Sequence, residues 1–415
     1  MPPRRPAAGG NTHKGVGAVF GLESNNNVVA DPLFGEMVEA ECALAKSDYL
    51  RQAVAKQLTP WRNAAEAPSA THAGARGAEK EEVRPPVRMR HLDMQYCMRK
   101  QVARISYVKG VLRHASWQLN MDFNRLRQSM WFLRLATLRA ERRGRPIPDF
   151  EILLNPTDKT AGYARGGTED LTHEPLPLFC NAKCEGDSSI SFPIMFNAQL
   201  GGAGGEMALP LYAAKYSELQ ELGAPVPWRE KKPTLFFSGT NMRGNRAAIY
   251  QSRSPHITAL MQVVPIADYG HYRYLIYAFG HSGWSQRLRE LALMDAVVLM
   301  EESRCHEFYQ EAFEPGRDYV PVREDLADLD EKIAAAVADE AGSEAMAARW
   351  LAKGRDALSL PCVLDYVEAL LRAYVPKMDF QPPERPTWPE FFLNATPSHF
   401  MNKQPPPVDV CRDFF

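Results

Sequence analysis

Residues 231–322 read KKPTLFFSGTNMRGNRAAIYQSRSPHITALMQVVPIADYGHYRYLIYAFGHSGWSQRLRELALMDAVVLMEESRCHEFYQEAFEPGRDYVPV, and their order decides the fold. Short apolar runs, TLFFSG from Thr234, YLIYAF from Tyr274, AVVLME from Ala296 and YVPV from Tyr319, alternate with the helix-patterned segments RAAIYQS, SQRLREL and EFYQEAF. Strands that alternate with helices predict parallel pairing with crossovers on both faces of one sheet, a Rossmann-like half. Helical patterning continues to about Tyr374, and the chain after Pro376 is Pro-rich and reads as a wrapping tail.

Upstream, the run EILLN between Pro148 and Pro156 reads as a buried strand, and FNRLRQSMWFLRLATLRAERRG reads as an amphipathic helix ended by Gly144. The segment ARISYVKGVL predicts two short strands about a turn at Lys109-Gly110. Between Gly166 and Pro227 the glycine runs GGTED and GGAGGE read as loops around one apolar segment, ISFPIMF. Good helix formers with a repeating apolar stripe predict a helix over about 33–58. Residues 60–86 read as an Ala, Gly, Glu and Pro-rich linker, and residues 1 to about 30 as a disordered arm. The expected division is 1–86 for arm, helix and linker, 87–230 for a first domain, 231–380 for the Rossmann-like domain and 381–415 for the tail. No internal repeat is visible.

Composition narrows the function classes. With 49 Lys+Arg against 50 Asp+Glu the net charge is -1, so there is no global pull toward phosphate backbones, and nucleic acid is not an expected partner. Hydrophobic residues at 45% and charged residues at 24% belong to an ordinary globular protein long enough for two domains. The longest apolar stretch, Leu291 to Met300, holds Asp295 and is far short of the roughly 20 residues that span a bilayer, so no transmembrane segment is expected in this chain. The opening residues carry no continuous apolar run, so a secretory leader is not readable. Seven cysteines are odd in number and too sparse for a disulfide scaffold, which leaves the redox compartment open.

Three places offer chemistry. Asp158 follows the strand EILL in the run Leu154-Asn155-Pro156-Thr157-Asp158. Ligands of α/β sheets bind beyond the carboxyl ends of strands, so Asp158 is placed either as a general base or as a solvated turn residue. The segment from Ser238 to Arg246 links a strand to a helix, and its small residues bring backbone amides near a phosphate while Arg243 or Arg246 adds charge. It lacks the Gly-Lys-Ser/Thr of a P-loop, and a capping turn with surface arginines is the alternative. In the third segment, Gly280 to Arg287, Ser285 suits an N-cap and Arg287 falls in the first helical turn, where a cation opposes the dipole unless an anion binds there. His281 is a catalytic group or a structural hydrogen bonder.

Other features read as structural. Asp328 and Glu331 fit a capping box. The grouping of His173, Cys180 and Cys184 is a weak zinc signal, and no metal site is expected. GVGAVFG near the start lacks the dinucleotide-binding spacing, and the chain has no GxSxG elbow of an α/β hydrolase.

The succession of segments resembles the Rumi-type protein O-glucosyltransferases, the capsule-associated-protein-like and KDEL-motif-containing group called glycosyltransferase family 90. The likeness runs from about Val102 to Tyr374. It rests on Ile147-Pro148-Asp149-Phe150-Glu151 leading to Asn155-Pro156-Thr157-Asp158, and on Pro227-Trp228 and Lys231. It continues through Phe237-Ser238-Gly239-Thr240 closing on Arg246, then Arg273-Tyr274-Leu275-Ile276 and Ser285-Gln286-Arg287-Leu288. Glu307-Phe308-Tyr309, Pro315, Tyr319-Val320-Pro321-Val322 and Asp328-Leu329 complete the order. Three positions depart from the family pattern: Ser238 stands for an arginine, Asp318 for a histidine and Trp284 for a small residue.

The resemblance implies a GT-B arrangement of two Rossmann-like domains facing a cleft. It implies an inverting glycosyltransferase that moves glucose or xylose from a UDP-sugar to a hydroxyl of a protein or glycan. Asp158 would be the base, and Gly239, Thr240, Arg246, Ser285 and Arg287 the nucleotide-sugar-binding groups. No cofactor or metal is then expected beyond the donor, because two arginines supply the charge that the departing UDP needs. The family generally works in the lumen of the endoplasmic reticulum or Golgi, with the cytoplasm as the alternative where no leader is readable. A catalytically degenerate member that binds a nucleotide or glycan is the alternative function.

Overall fold

The computed structural model describes residues 40–44, 48–61, 63, 86–90, 92–93, 102–116, 123–157, 177–194, 209–240, 245–280 and 283–391. The N-terminal arm, nearly all of the linker, Asp158, His173, Arg243, His281 and the end of the tail lie outside the described residues.

Helix α1 is Tyr49–Leu58, shorter than its composition predicts. Residues 40–44 are not helical, because they are tied elsewhere: Cys42 forms a disulfide with Cys362, and its amide donates to Asp365 at 3.0 Å. Strands β1, Ala103–Val108, and β2, Val111–Ser116, form the predicted hairpin. Its two-residue turn places Lys109 at φ 51° and Gly110 at φ 80°, the left-handed pair that matches strand twist. Helix α2, Phe123–Arg142, leads to β3, Phe150–Leu154, which is buried throughout. Three short strands follow: β4, Leu178–Cys180, β5, Lys183–Cys184, and β6, Ile190–Ser191. Helix α3, Leu209–Gly223, was hidden from sequence reading by the glycine run just before it.

The first sheet has the order β2-β1-β3-β4-β6. Strand β1 is antiparallel to both neighbours, whereas β3, β4 and β6 are parallel. The hairpin makes this sheet mixed, since a two-residue turn can only join antiparallel strands, and parallel pairing is confined to β3, β4 and β6.

Strands β7, Lys232–Ser238, β8, Ile257–Leu260, β9, Tyr272–Tyr277, β10, Val297–Glu301, and β12, Val320–Val322, form an all-parallel sheet in the order β12-β10-β9-β7-β8. Strand β11, Cys305–His306, pairs instead with β5. The connecting helices are α4, Arg246–Gln251, and α5, Arg287–Leu291, followed by α6, Leu329–Ala338, α7, Glu340–Ala357, and α8, Leu360–Tyr374. The predicted runs are four of the five strands, the three inner ones and edge strand β12; β8, at the other edge with all of its residues only partly buried, carries no such run. EFYQEAF is a single 3-10 turn, Gln310–Ala312, and no helix. Glu307 there is buried against Arg289, and Tyr309 donates to its carboxylate at 3.2 Å. Asp328 precedes α6, but its carboxylate accepts from the amide of Arg323 at 3.0 Å and does not cap the helix.

Alternation across the parallel sheet divides the core. Phe236, Leu275 and Val298 face a large core shared with the first sheet and α8, while Leu235, Phe237, Tyr274 and Ile276 face a second core under α6. Each such side chain contributes about 1.5–3 kcal/mol on burial. Trp350 of α7 is fully buried, and its indole N–H donates to Leu291 O at 2.8 Å. After α8 the chain runs back along the first sheet, where Phe391 N donates to Leu112 O at 2.8 Å. No helix among the described residues is long and apolar enough to cross a membrane.

Two disulfides are present among the described residues, Cys42–Cys362 and Cys184–Cys305, and Cys180 is buried as a thiol. They pair cysteines whose sparse spacing left the redox state open, since spacing carries no distance information across a fold. Cys180 and Cys184 lie on separate short strands, and Cys184 is bonded to Cys305, so this thiol is not available as a metal ligand. Replacing Cys42 and Cys362 together by serine is expected to destabilise the chain by about 2–4 kcal/mol, read as a lower denaturant midpoint. An unchanged midpoint would mean that packing of α1 on α8 holds that segment unaided.

Candidate functional site

The order of the second sheet defines where a ligand can sit. The chain passes from β7 to β8 on one side, then crosses back to β9 on the other side of β7. The carboxyl ends of β7 and β9 therefore flank a topological switch point, the crevice in which open α/β sheets bind their ligands. The loops that leave these two ends carry Gly239 and Thr240 on one side and Ser285 and Arg287 on the other.

Two guanidinium groups meet there. Arg246, the first residue of α4, reaches across to the β9 loop and donates to Ala278 O at 2.8 Å and Phe279 O at 3.2 Å, and to Thr240 O at 3.3 Å. Arg287 reaches the opposite way, donating to Ser238 O, and lies 5.6 Å from the Tyr269 ring. Burial first, and then the neighbouring charge of Arg287, push the Arg246 guanidinium below its usual pKa. Neither arginine has a carboxylate within ion-pair distance among the described residues, although Glu301 acts on Arg246 and Glu290 on Arg287 at longer range. Both helices are short, six residues for α4 and five for α5, so the arginines and not helix dipoles carry the positive field. Gly239 lies against the same guanidinium: a β-carbon there would be in van der Waals contact with Arg287 Nη1 at 3.4 Å and slightly tight against the Phe237 ring at 3.3 Å. Tyr250 closes the same turn by donating to Gly239 O at 2.7 Å.

The structure thus brings together Gly239, Thr240, Arg246, Ser285 and Arg287 at one strand end. Ser285 makes only a long version of the N-cap contact its position predicted, its hydroxyl accepting from Arg287 N at 3.5 Å, while its own amide donates to the Tyr277 hydroxyl at 2.8 Å. Asp158 lies outside the described residues, but the chain leading to it is well held. Asn155 N donates to Phe179 O at 2.8 Å, Thr157 N donates to the Asn155 side chain at 3.0 Å, and Asn181 donates to Thr157 O at 2.9 Å.

Glu301 was missed by sequence reading. It ends β10, is 2% exposed, and its carboxylate accepts from Phe279 N at 2.9 Å and from Asn245 Nδ2 at 3.2 Å. One side chain therefore pins both loops that carry the arginines. The signal was a carboxylate closing the apolar run AVVLM, at the strand end where parallel sheets place ligands.

The three departures from the family pattern have structural accounts. Ser238 is fully buried, and its hydroxyl donates to Gln262 O and accepts from Val264 N at 3.2 Å, so it binds the edge of the sheet and does not replace an arginine. Asp318 is buried, pairs with Lys353 and accepts from Glu314 N at 2.8 Å, which closes the turn before β12. Trp284 is buried among Ala182, Cys184, Ile194 and Cys305.

Comparison with known proteins gives a consistent frame. The model of glycosyl transferase family 90 matches residues 124–399, more than half of the chain. Human protein O-glucosyltransferase 1 is 22% identical over 256 residues, covering 55% of this chain and 62% of that protein. Human protein O-glucosyltransferase 3 is 24% identical over 211 residues, covering 43% of this chain and 41% of that protein. The rat protein O-glucosyltransferase 1 is 23% identical over 258 residues, 55% of this chain and 63% of its own length. The chain therefore spans less than two thirds of the relatives it matches.

Proposed function

The chain belongs to glycosyl transferase family 90, and from that premise we propose that it is an inverting glycosyltransferase that moves glucose or xylose from a UDP-sugar to a hydroxyl of a protein or glycan. The observation that carries this reading is the convergence of Arg246 and Arg287 at the β7/β9 switch point without a paired carboxylate among the described residues. Backbone carbonyls orient two cations but do not neutralise them, and a diphosphate does. In the proposed reaction Asp158 takes the proton of the acceptor hydroxyl as its oxygen bonds to the anomeric carbon. The bond from that carbon to UDP breaks with its electron pair on the β-phosphate oxygen, where the arginines stabilise the developing charge. This needs no metal ion.

The likeness to human protein O-glucosyltransferases 1 and 3 and the two disulfides support a GT-B arrangement working in an oxidising compartment, the lumen of the secretory pathway. The test is thermal. UDP at about 100 times its dissociation constant is expected to stabilise the fold by about 2.7 kcal/mol and raise the melting temperature by several degrees. The shift is expected to be the same in EDTA. Purine nucleotides that shift the melt where uridine nucleotides do not would overturn the donor assignment.

A further inference from the structure

The turn that carries Ser285 and Arg287 is held from outside its own sheet. Trp284 is 4% exposed, yet four of the residues packed round its indole are far away in sequence: Ala182, Cys184 and Ile194 of the first unit, and Cys305 beyond β10. Cys184 and Cys305 are directly opposite in the antiparallel β5–β11 pair and are joined by a disulfide. The same seam is closed by Glu185 N donating to Arg304 O at 2.7 Å. Arg289 spans it as well, donating to Ile194 O at 3.0 Å with its guanidinium 6.0 Å from the Trp284 ring. On the other side, the backbone of Trp284 closes the loop after β9, since Gly280 N donates to Trp284 O at 3.1 Å. Gly283 turns that loop at φ 77°, a conformation that L side chains rarely adopt. The indole is thus driven into a covalently braced socket by a loop whose next residues are Ser285 and Arg287.

We propose that Trp284, clamped by the Cys184–Cys305 disulfide, is a positioning residue for the nucleoside-diphosphate site. It sets where Ser285 and Arg287 stand relative to the first unit. This rests on the donor reading of the arginine pair. Rotamers and turns in a packed socket have few alternatives, so removing the ring or the brace lets the turn sample positions in which Arg287 no longer faces the phosphate. The affinity then falls by the fraction of time the competent arrangement is lost.

The experiment compares the full chain with Trp284→Ala, Trp284→Phe and the double variant Cys184→Ala with Cys305→Ala. UDP affinity is measured by titration calorimetry, donor and acceptor KM by steady-state kinetics, and amide hydrogen exchange over residues 283–291 without ligand. Trp284→Ala and the double variant are expected to bind UDP about tenfold more weakly, to raise donor KM with acceptor KM unchanged, and to exchange faster at 283–287 but not in α8. Trp284→Phe, which keeps a ring in the socket, is expected to recover most of the affinity. A folded Trp284→Ala with wild-type affinity and wild-type exchange overturns the proposal. Where that variant does not fold, wild-type UDP affinity in the double variant overturns it. A wild-type chain that binds no UDP sinks the donor reading instead, and the ligand-free exchange data then decide whether Trp284 holds the turn.

Discussion

Asp158→Asn is expected to lower the rate of glycosyl transfer by at least about 10²-fold, the smallest usual contribution of a positioned base. UDP affinity is expected to stay within a factor of about two, because an interaction made only in the transition state leaves ground-state binding nearly untouched. The melting temperature is expected to stay near wild type. Asparagine keeps the shape of the side chain, and the residues leading to it are anchored by others: Asn181 holds Thr157 O and Phe179 O holds Asn155 N. A base assignment therefore predicts loss of chemistry alone. A turn residue predicts the reverse, an unchanged rate with a few tenths of a kcal/mol lost in stability. Rate, affinity and melting temperature taken on the same protein separate the two, and an active Asp158→Asn enzyme would refute the assignment.

Arg287→Ala is expected to weaken UDP binding at least about tenfold, since a charge-assisted contact contributes about 1.5–3 kcal/mol and a factor of ten corresponds to about 1.4 kcal/mol. The substitution also removes the donor to Ser238 O, which keeps Tyr269 as its other partner at 3.0 Å. Stability should accordingly fall much less than affinity. Arg287→Lys sharpens the result: it keeps the charge but loses the planar fork, so it should recover part of the affinity if charge is what the phosphate reads. Wild-type affinity in Arg287→Ala would return the residue to a purely structural role, bridging β7 and the Tyr269 ring.

The N-terminal helix shows one limit of reading a chain locally. Its composition favours helix well before Tyr49, yet residues 40–44 are drawn out by Cys42, whose partner lies 320 residues away. Helix propensity is worth tenths of a kcal/mol per residue, and a long-range crosslink with a buried backbone hydrogen bond outweighs it. Strand β8 shows another limit: at an edge, with every residue only partly buried, it carries neither the continuous apolar run nor the strict alternation by which strands are recognised. Glu301 failed to stand out because a single carboxylate ending a strand has no spacing partner. Its two acceptor contacts, to Phe279 N and Asn245, join segments that only the sheet brings together.

By itself the sequence determined the parallel second sheet and the loops that leave its strand ends. Those follow from local periodicity: an apolar run too short for a helix, followed by small residues and a helical pattern, has one stable arrangement beside its neighbours. It determined the hairpin at Lys109-Gly110 for the same reason, since the turn chemistry is contained in two residues. Only the tertiary structure decided that the first sheet is mixed, that Cys184 is joined to Cys305, that Arg246 and Arg287 share one crevice, and that Trp284 is locked into the opposite unit. Each of these is a contact between residues far apart in the chain, chosen by which faces the whole core leaves free to meet, and no local pattern encodes that choice.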